Sequence, residues 1–387
     1  MVAKPSPLRD AIAGMLAMAV AMGIGRFVYT PLLPGMMEGL GLTASAAGLV
    51  ASANFIGYLA GALAAAGGWA AGHERRLMLA ALLASALLAA AMATTGSLAA
   101  FLVIRFAAGV ASAFVLVFAT TIVTARLAAA GRGSLRAVHF GGVGLGIAAS
   151  AVMTGLLVLD GAPWQAGWLW AGGLSLAGFA AVTLLAPQGS VVAAAGRAEG
   201  RLARSPALAR MILAYGLFGF GYIVTATFLV AIVRESGGGR LFEQAVWLVA
   251  GLAGIPSVAL WGAAVPRLGV AGAFAAGAVL EAAGVVASVS LGGVAGPLLG
   301  ALLLGATFIA LTAFGLEAGR RLAPEAPRRV LALMTAAFGI GQILGPLAAG
   351  LLADWSGSFV LPSLVAAAVL LLAAASAWGA GRDSRLS

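Results

Sequence analysis

Arg26 stands in GIGRFVYTPLL (residues 23–33), with apolar residues on both sides of it. A guanidinium stays charged at any physiological pH and presents a fork of N–H donors, the chemistry of carboxylate and phosphate binding. Other groups in apolar surroundings suggest a different chemistry. Glu281, in GAVLEAAGVV, is a carboxyl that could take up and release a proton. His139, near Arg136, carries an imidazole that can exchange a proton near neutral pH. Arg105, in IRFAAGVAS (104–112), is a second cation inside an apolar run. Around these stand hydrogen-bonding and aromatic residues: Tyr29, Thr30, Asn54, Tyr58, Tyr215, Tyr222, Thr225 and Gln342. Asn54 and Tyr58 are four residues apart and share one helix face, and Tyr215 and Tyr222, seven apart, do the same. Such a set could form a mixed aromatic and polar pocket, with helix packing as the alternative for each residue taken singly.

Other chemistries are excluded. The chain has no cysteine, which removes disulfides, thiolate metal sites and cysteine nucleophiles. Its two histidines, His73 and His139, have no carboxylates at metal-binding spacing, so neither a metal nor a cofactor is expected. GGVGLG at 141–146 echoes a dinucleotide fingerprint but lies inside an apolar helix with no strand before it. With so few His, Asp and Glu residues, an enzyme is not expected.

The elements that must position these groups follow from composition. Of 387 residues, 62% are hydrophobic and 9% charged, against about 25% charged in a soluble globular protein. Lipid is then the solvent, and the long apolar runs without alternation predict helices rather than barrel strands. Twelve spans are expected, at 10–33, 44–66, 77–95, 98–124, 137–159, 164–186, 207–233, 243–265, 270–291, 297–319, 330–353 and 359–380. The first is too long and carries Arg26, so it reads as a retained helix and not a signal peptide. Small residues at four-residue spacing, as in Gly142/Gly146 and Gly341/Gly345, suit close helix packing. The net charge of +10 forms no nucleic-acid patch. Basic residues instead fill alternate loops (Lys4, Arg9, Arg75, Arg76, Arg126 and Arg132 among them), and the opposite loops hold only Arg234 and Arg240. The positive-inside rule puts both termini in the cytoplasm, which fits a multi-pass protein of a bacterial inner membrane.

The chain also repeats itself. Residues 23–33 align with GFGYIVTATFL at 219–229, an offset of 196, and GLGIAASAVMTGLL at 144–157 aligns with GIGQILGPLAAGLL at 339–352, an offset of 195. A duplicated half is the usual architecture of a secondary transporter. The expected organisation is an N-terminal six-helix bundle at 1–186, a cytoplasmic linker at 187–206 and a C-terminal six-helix bundle at 207–387. Arg26 facing Tyr222 is the sharp break in the first aligned pair.

Twelve spans in two sixes resemble the major facilitator superfamily. IRFAAGVAS is similar to its fourth-helix pattern R-x-x-x-G, with Arg105 and Gly109 in the key places, and GAAVPRLG at 262–269 resembles its loop pattern G-x-x-x-D-R-x-G. There Pro266 replaces the acid, and the first-half copy, GWAAGHERR at 68–76, also lacks it. The family's Gly-Pro antiporter motif is missing from the fifth span, where Ser150-Ala151 stand, while Gly345-Pro346 appears in the eleventh. More narrowly, GIGRFVYTPLLPGM, HFGGVGLGIA and GLFGFGYIVTATFLVAIVR resemble the YbfB/YjiJ branch. The resemblance implies an all-α membrane fold and transport of a small solute by alternating access. It implies a cavity lined by the first helices of each repeat, a coupling role for Arg105, and gating loops that hold Arg75, Arg76 and Arg267. Readings stay open at several positions. Arg26 binds an anion, gates, or bonds carbonyls structurally; Arg105 couples or snorkels to the outer interface. Glu281 carries a proton or bonds a neighbouring helix, and His139 titrates or anchors a loop. The expected partners are a small, anionic or carboxylate-bearing solute, the lipid bilayer and protons, with the chain a monomer and nucleic acid no partner. A membrane sensor that does not transport is the competing reading.

Overall fold

Backbone N–H and C=O groups find no water in hydrocarbon, so a chain this apolar must satisfy them within helices. The structure, a computed structural model, describes residues 6–67, 69–186, 202, 205–235 and 237–386, with side chains to residue 383. The linker expected at 187–206 lies outside the described residues apart from Leu202, Ser205 and Pro206, as do Lys4 and Gly68.

The first span is built in pieces: α1 (Pro7–Met18), a π-helical stretch Ala19–Ile24, and α2 (Tyr29–Leu40). Ser6 caps α1 by accepting from the Arg9 N–H. The break has a cause in the sequence. Pro31 has no N–H to give to the Phe27 carbonyl one turn back, so the ladder is interrupted where α2 begins, while Pro34 lies inside that helix. Five uninterrupted spans follow: α3 (Ala44–Ala65), α4 (Glu74–Ala91), α5 (Leu98–Ala129), α6 (Arg136–Leu159) and α7 (Trp164–Leu185). Then come α8 (Pro206–Glu235), α9 (Arg240–Gly254), α10 (Ser257–Ser290), α11 (Ala295–Leu322), α12 (Pro327–Ser356) and α13 (Val360–Leu386).

Among the described residues, eleven helices are long and apolar enough to cross a bilayer unaided. The remaining crossing, the eighth, expected as one helix at 243–265, is divided. Helix α9 stops at Gly254, Pro256 interrupts the ladder, and the helix resumes at Ser257. Gly269, at φ 71° and ψ 168°, then turns the chain, so α10 holds the end of the eighth crossing and all of the ninth.

The repeat is visible in the backbone. Gly41 and Gly237 turn the chain in the left-handed region, and so do Gly161 and Gly357, each pair 196 residues apart. Packing repeats as well. Gly23 lies so close to Gly146 that a Cβ on either would overlap the other's backbone. One repeat further on, a Cβ on Gly341 would overlap the backbone of Gly216, Gly219 and Phe220. Positions 196 apart even touch: the Thr30 hydroxyl donates to the Ala226 carbonyl at 2.6 Å, and Arg234 pairs with Glu38 at 3.2 Å.

Within the first six spans α3 packs on α5, α4 on α5 and α7, and α1 on α6; within the last six α8 packs on α12 and α13, and α10 on α11 and α13. The two groups meet along α3 with α12, α6 with α9, and α2 with α8. The first span and α8 are central, with 83% of their most apolar stretch buried, against 28% for α7. Leu87, Leu169, Trp170 and Leu184 point outward, as lipid-facing side chains do.

Candidate functional site

Arg26 falls in the break between the π-helical stretch and α2, at the centre of the molecule, and is 3% exposed. Its Cζ lies 4.1 Å from the Tyr58 ring centre, 4.6 Å from Phe55 and 5.8 Å from Phe27. The negative faces of such rings attract a cation, but they leave its N–H groups without acceptors. Nε and Nη2 of Arg26 are buried and have no hydrogen-bond partner among the described residues. Phe55 and Tyr58, three apart on α3, present both rings to the same guanidinium.

Aromatic rings from the last six spans close the other side. Tyr222, on α8, lies within 8° of parallel to Phe308 of α11 and Phe338 of α12, with ring centres 5.9 and 5.7 Å away. Phe27 meets Phe308 edge-on at 5.8 Å, so rings of the two groups touch beside Arg26. Phe218 and Tyr215 extend the stack one helical turn at a time along α8. The Tyr222 hydroxyl is bonded to Gln342, whose Oε1 is buried without a partner. The Thr225 hydroxyl is likewise buried and unpartnered, whereas Tyr215 donates to the Thr312 carbonyl at 2.9 Å.

Arg105 does a different job. It is 2% exposed on α5, which removes the expectation that it snorkels to the interface. Its Nη1 donates to the Gly25 carbonyl at 3.1 Å and its Nη2 to the Arg26 carbonyl at 3.2 Å. Those are carbonyls that the break in the first span leaves without helical donors, since the Thr30 N–H turns to Phe27 instead. Asn54 donates to the Arg105 carbonyl at 3.0 Å, and Gly109 lies flush against the Asn54 backbone. Tyr29 donates to the Ala47 carbonyl at 2.9 Å under the Arg105 guanidinium, and Thr30 is spent on Ala226. These residues hold the frame around Arg26.

The remaining expected residues lie apart from it. Glu281 is fully buried between α10 and α11, where its Oε2 accepts from Thr307 at 2.8 Å and its Oε1 has no partner. His139 is also fully buried, bonded to Thr120 of α5 at 3.0 Å and packed against Gly14 of α1, and so it lies between helices and not against a loop. Arg75 donates to the Thr183 carbonyl at 3.1 Å, whereas Arg76 and Arg267 are exposed at the end of the bundle where α1 begins. Phe27, Phe55, Phe218, Phe308 and Phe338 belong to the site and were not singled out in the sequence. The three-residue and four-residue spacing of Phe55 with Tyr58 and Phe218 with Tyr222 was the available signal.

Hydrogen bonds between the two groups cluster at the end of the bundle away from α1. The Asp354 carboxylate accepts from the N–H groups of Ala44 and Ser45 at the start of α3, both at 2.9 Å. Arg234 and Arg240 each reach Glu38 at 3.2 Å, and Arg234 also pairs with buried Glu243 at 2.7 Å. Deeper in, Ser52 donates to the Ile343 carbonyl, and Thr154 bonds Gln244. At the other end Arg126 pairs with Asp10 and Arg210 with Asp383, each pair within one group.

The profile of the family described as "Uncharacterised MFS-type transporter YbfB" matches residues 18–377. No curated protein matches the chain by sequence. Among solved structures, a mutant of the nucleoside transporter NupG superposes with a TM-score of 0.75 at 15% identity, covering 96% of this chain and 99% of that one. A bacterial homolog of the human lysosomal transporter Spinster, inward-facing and unoccupied, gives 0.73 at 14% identity, covering 98% of each chain. At such identities the likeness concerns the fold.

Proposed function

The chain belongs to the family of MFS-type transporters described under YbfB, and from that premise we propose that it carries a small organic anion across the membrane by alternating access. The observation that carries the reading is Arg26. An arginine at a helix centre costs roughly 2.5–3.5 kcal/mol on insertion scales, and this one has two buried donors with no acceptor among the described residues. An anionic solute supplies the acceptor and offsets that cost. Arg105, the other buried cation near the centre, is tied to two carbonyls.

Residues 1–186 and 207–387 are the two bodies that rock, joined by 187–206. The basic loops are read as cytoplasmic in a bacterial inner membrane, with both termini on that side and the chain a monomer. The cross-bonds of Asp354, Arg234 and Arg240 then close the outer end. Coupling to protons rests on Glu281, a buried carboxyl with one free oxygen.

The test is uptake of labelled organic anions into proteoliposomes under an imposed pH gradient. Loss of one partner of a buried charge pair costs roughly 2–5 kcal/mol, so Arg26→Gln is expected to weaken uptake about 30-fold or more. Undiminished uptake in that variant sinks the anion reading. Glu281→Gln is expected to abolish the response to the pH gradient, and an intact response removes Glu281 from coupling. Binding without any uptake by the unaltered chain points to a sensor instead.

A further inference from the structure

Resting on the reading of Arg26 as the anion site, we infer that the solute is a monocarboxylate carried on a flat ring. Three features of the site argue for it. The first is which donors are free. Nε–H and one N–H of Nη2 lie on the same edge of a guanidinium and form a two-pronged fork that matches the two oxygens of a carboxylate. The Tyr58 and Phe55 rings lie against the guanidinium, so that edge is what the site offers. A phosphate monoester carries more charge than the one fork of Arg26 balances, and Arg105 has its two terminal nitrogens on backbone carbonyls.

The second feature is shape. Tyr222, Phe308 and Phe338 are mutually near-parallel, and Phe27 stands edge-on to Phe308 across the boundary between the two groups. Phe27 and Phe308 separate when the groups part, which frees an apolar ring surface beside the stack, while Tyr222, Phe308 and Phe338 stay together within the last six spans. A planar ring makes the offset-stacked and edge contacts that these side chains already make among themselves. A puckered ring of the same size cannot.

The third feature sets the charge. The Gln342 amide, bonded to Tyr222, keeps one buried oxygen without a donor. That oxygen favours a hydroxyl or N–H on the far side of the ring and disfavours a second carboxylate. One anionic group at Arg26 and a neutral or donor-bearing far edge is the complement of this site.

The experiment is binding to the purified full chain in lipid nanodiscs, by calorimetry, with benzoate, cyclohexanecarboxylate, terephthalate and benzyl alcohol as probes. Benzoate is expected to bind about tenfold or more tightly than each of the others, in the range that lost pocket contacts give. Equal affinity for benzoate and cyclohexanecarboxylate overturns the flat-ring inference while leaving the anion reading standing. Terephthalate binding as tightly as benzoate overturns the single-charge inference in the same way. Benzyl alcohol binding as well as benzoate overturns the anion reading and the inference with it, and no binding of benzoate overturns the inference alone. Phe308→Leu and Phe338→Leu are expected to flatten the preference for benzoate over cyclohexanecarboxylate, and an unchanged preference in both variants overturns the role of the rings. Arg26→Lys keeps the charge but not the fork, and is expected to weaken benzoate about tenfold.

Discussion

At the scale of single residues, the two central arginines are distinguished by what their donors find. Nη1 and Nη2 of Arg105 reach two backbone carbonyls, whereas Nε and Nη2 of Arg26 find no acceptor among the described residues. Arg105 therefore fixes the peptide from which Arg26 projects. Its removal leaves the Gly25 and Arg26 carbonyls buried without donors, at a cost of about 1–3 kcal/mol for each group left unsatisfied. Arg105→Gln is expected to lower the thermal unfolding midpoint in detergent and to weaken anion binding along with it. A normal midpoint and normal binding would remove the positioning role. Both arginines were legible in the sequence, because a charge inside a long apolar run has to be explained. Their division of labour was not, since it depends on carbonyls that only the broken first span sets free. Of the phenylalanines around Arg26, only Phe55 and Phe218 had a signal, their spacing from Tyr58 and Tyr222; in a helix that is apolar on every face, a ring otherwise carries no sign of which way it points.

At the scale of elements, glycine does what hydrophobic burial does in a soluble core. Lipid tails are as apolar as the side chains, so helices gain by close backbone approach. The first span meets α6 at Gly23 and Gly146, and α8 meets α12 at Gly219 and Gly341. The aligned segments at offsets of 196 and 195 made these two contacts legible as one repeated device. A methyl group added at either interface strikes backbone, which cannot move aside as a side chain can. Gly146→Ala and Gly341→Ala are each expected to cost about 1–3 kcal/mol in unfolding measurements. Gly173, which a Cβ would leave with nothing within 4 Å, is the control, and Gly173→Ala should be neutral. Equal effects at all three positions would refute the account. Span positions were legible from apolar length alone. The division of the eighth crossing was not, because a proline does not by itself end a helix: Pro266 and Pro346 lie inside helices that continue, whereas the ladder stops at Pro256.

At the scale of the whole molecule, the question is which contacts must break for a solute to pass. The hydrogen bonds of Asp354 to the Ala44 and Ser45 N–H groups and the pairs of Arg234 and Arg240 with Glu38 join the two groups at one end. Ion pairs open to solvent contribute only ~0–1 kcal/mol each, and hydrogen bonds to a charged group about 1.5–3 kcal/mol. Interactions that weak can hold an end shut and still release it in every cycle. Acids and arginines at span ends are ordinary loop residues in a sequence, and nothing in their spacing says that they face each other across the molecule. The chain contains no cysteine, so a pair can be introduced without background. Glu38 and Arg240 are 61% and 60% exposed in their side chains and face each other across the two groups, which leaves them open to a thiol reagent. With Glu38→Cys and Arg240→Cys, a bifunctional methanethiosulfonate is expected to stop uptake, and a reductant that cleaves the link should restore it. Either single variant treated in the same way should keep transporting. If the cross-linked pair still transports, that end does not open during the cycle, and rocking of the two groups about Arg26 cannot be the mechanism.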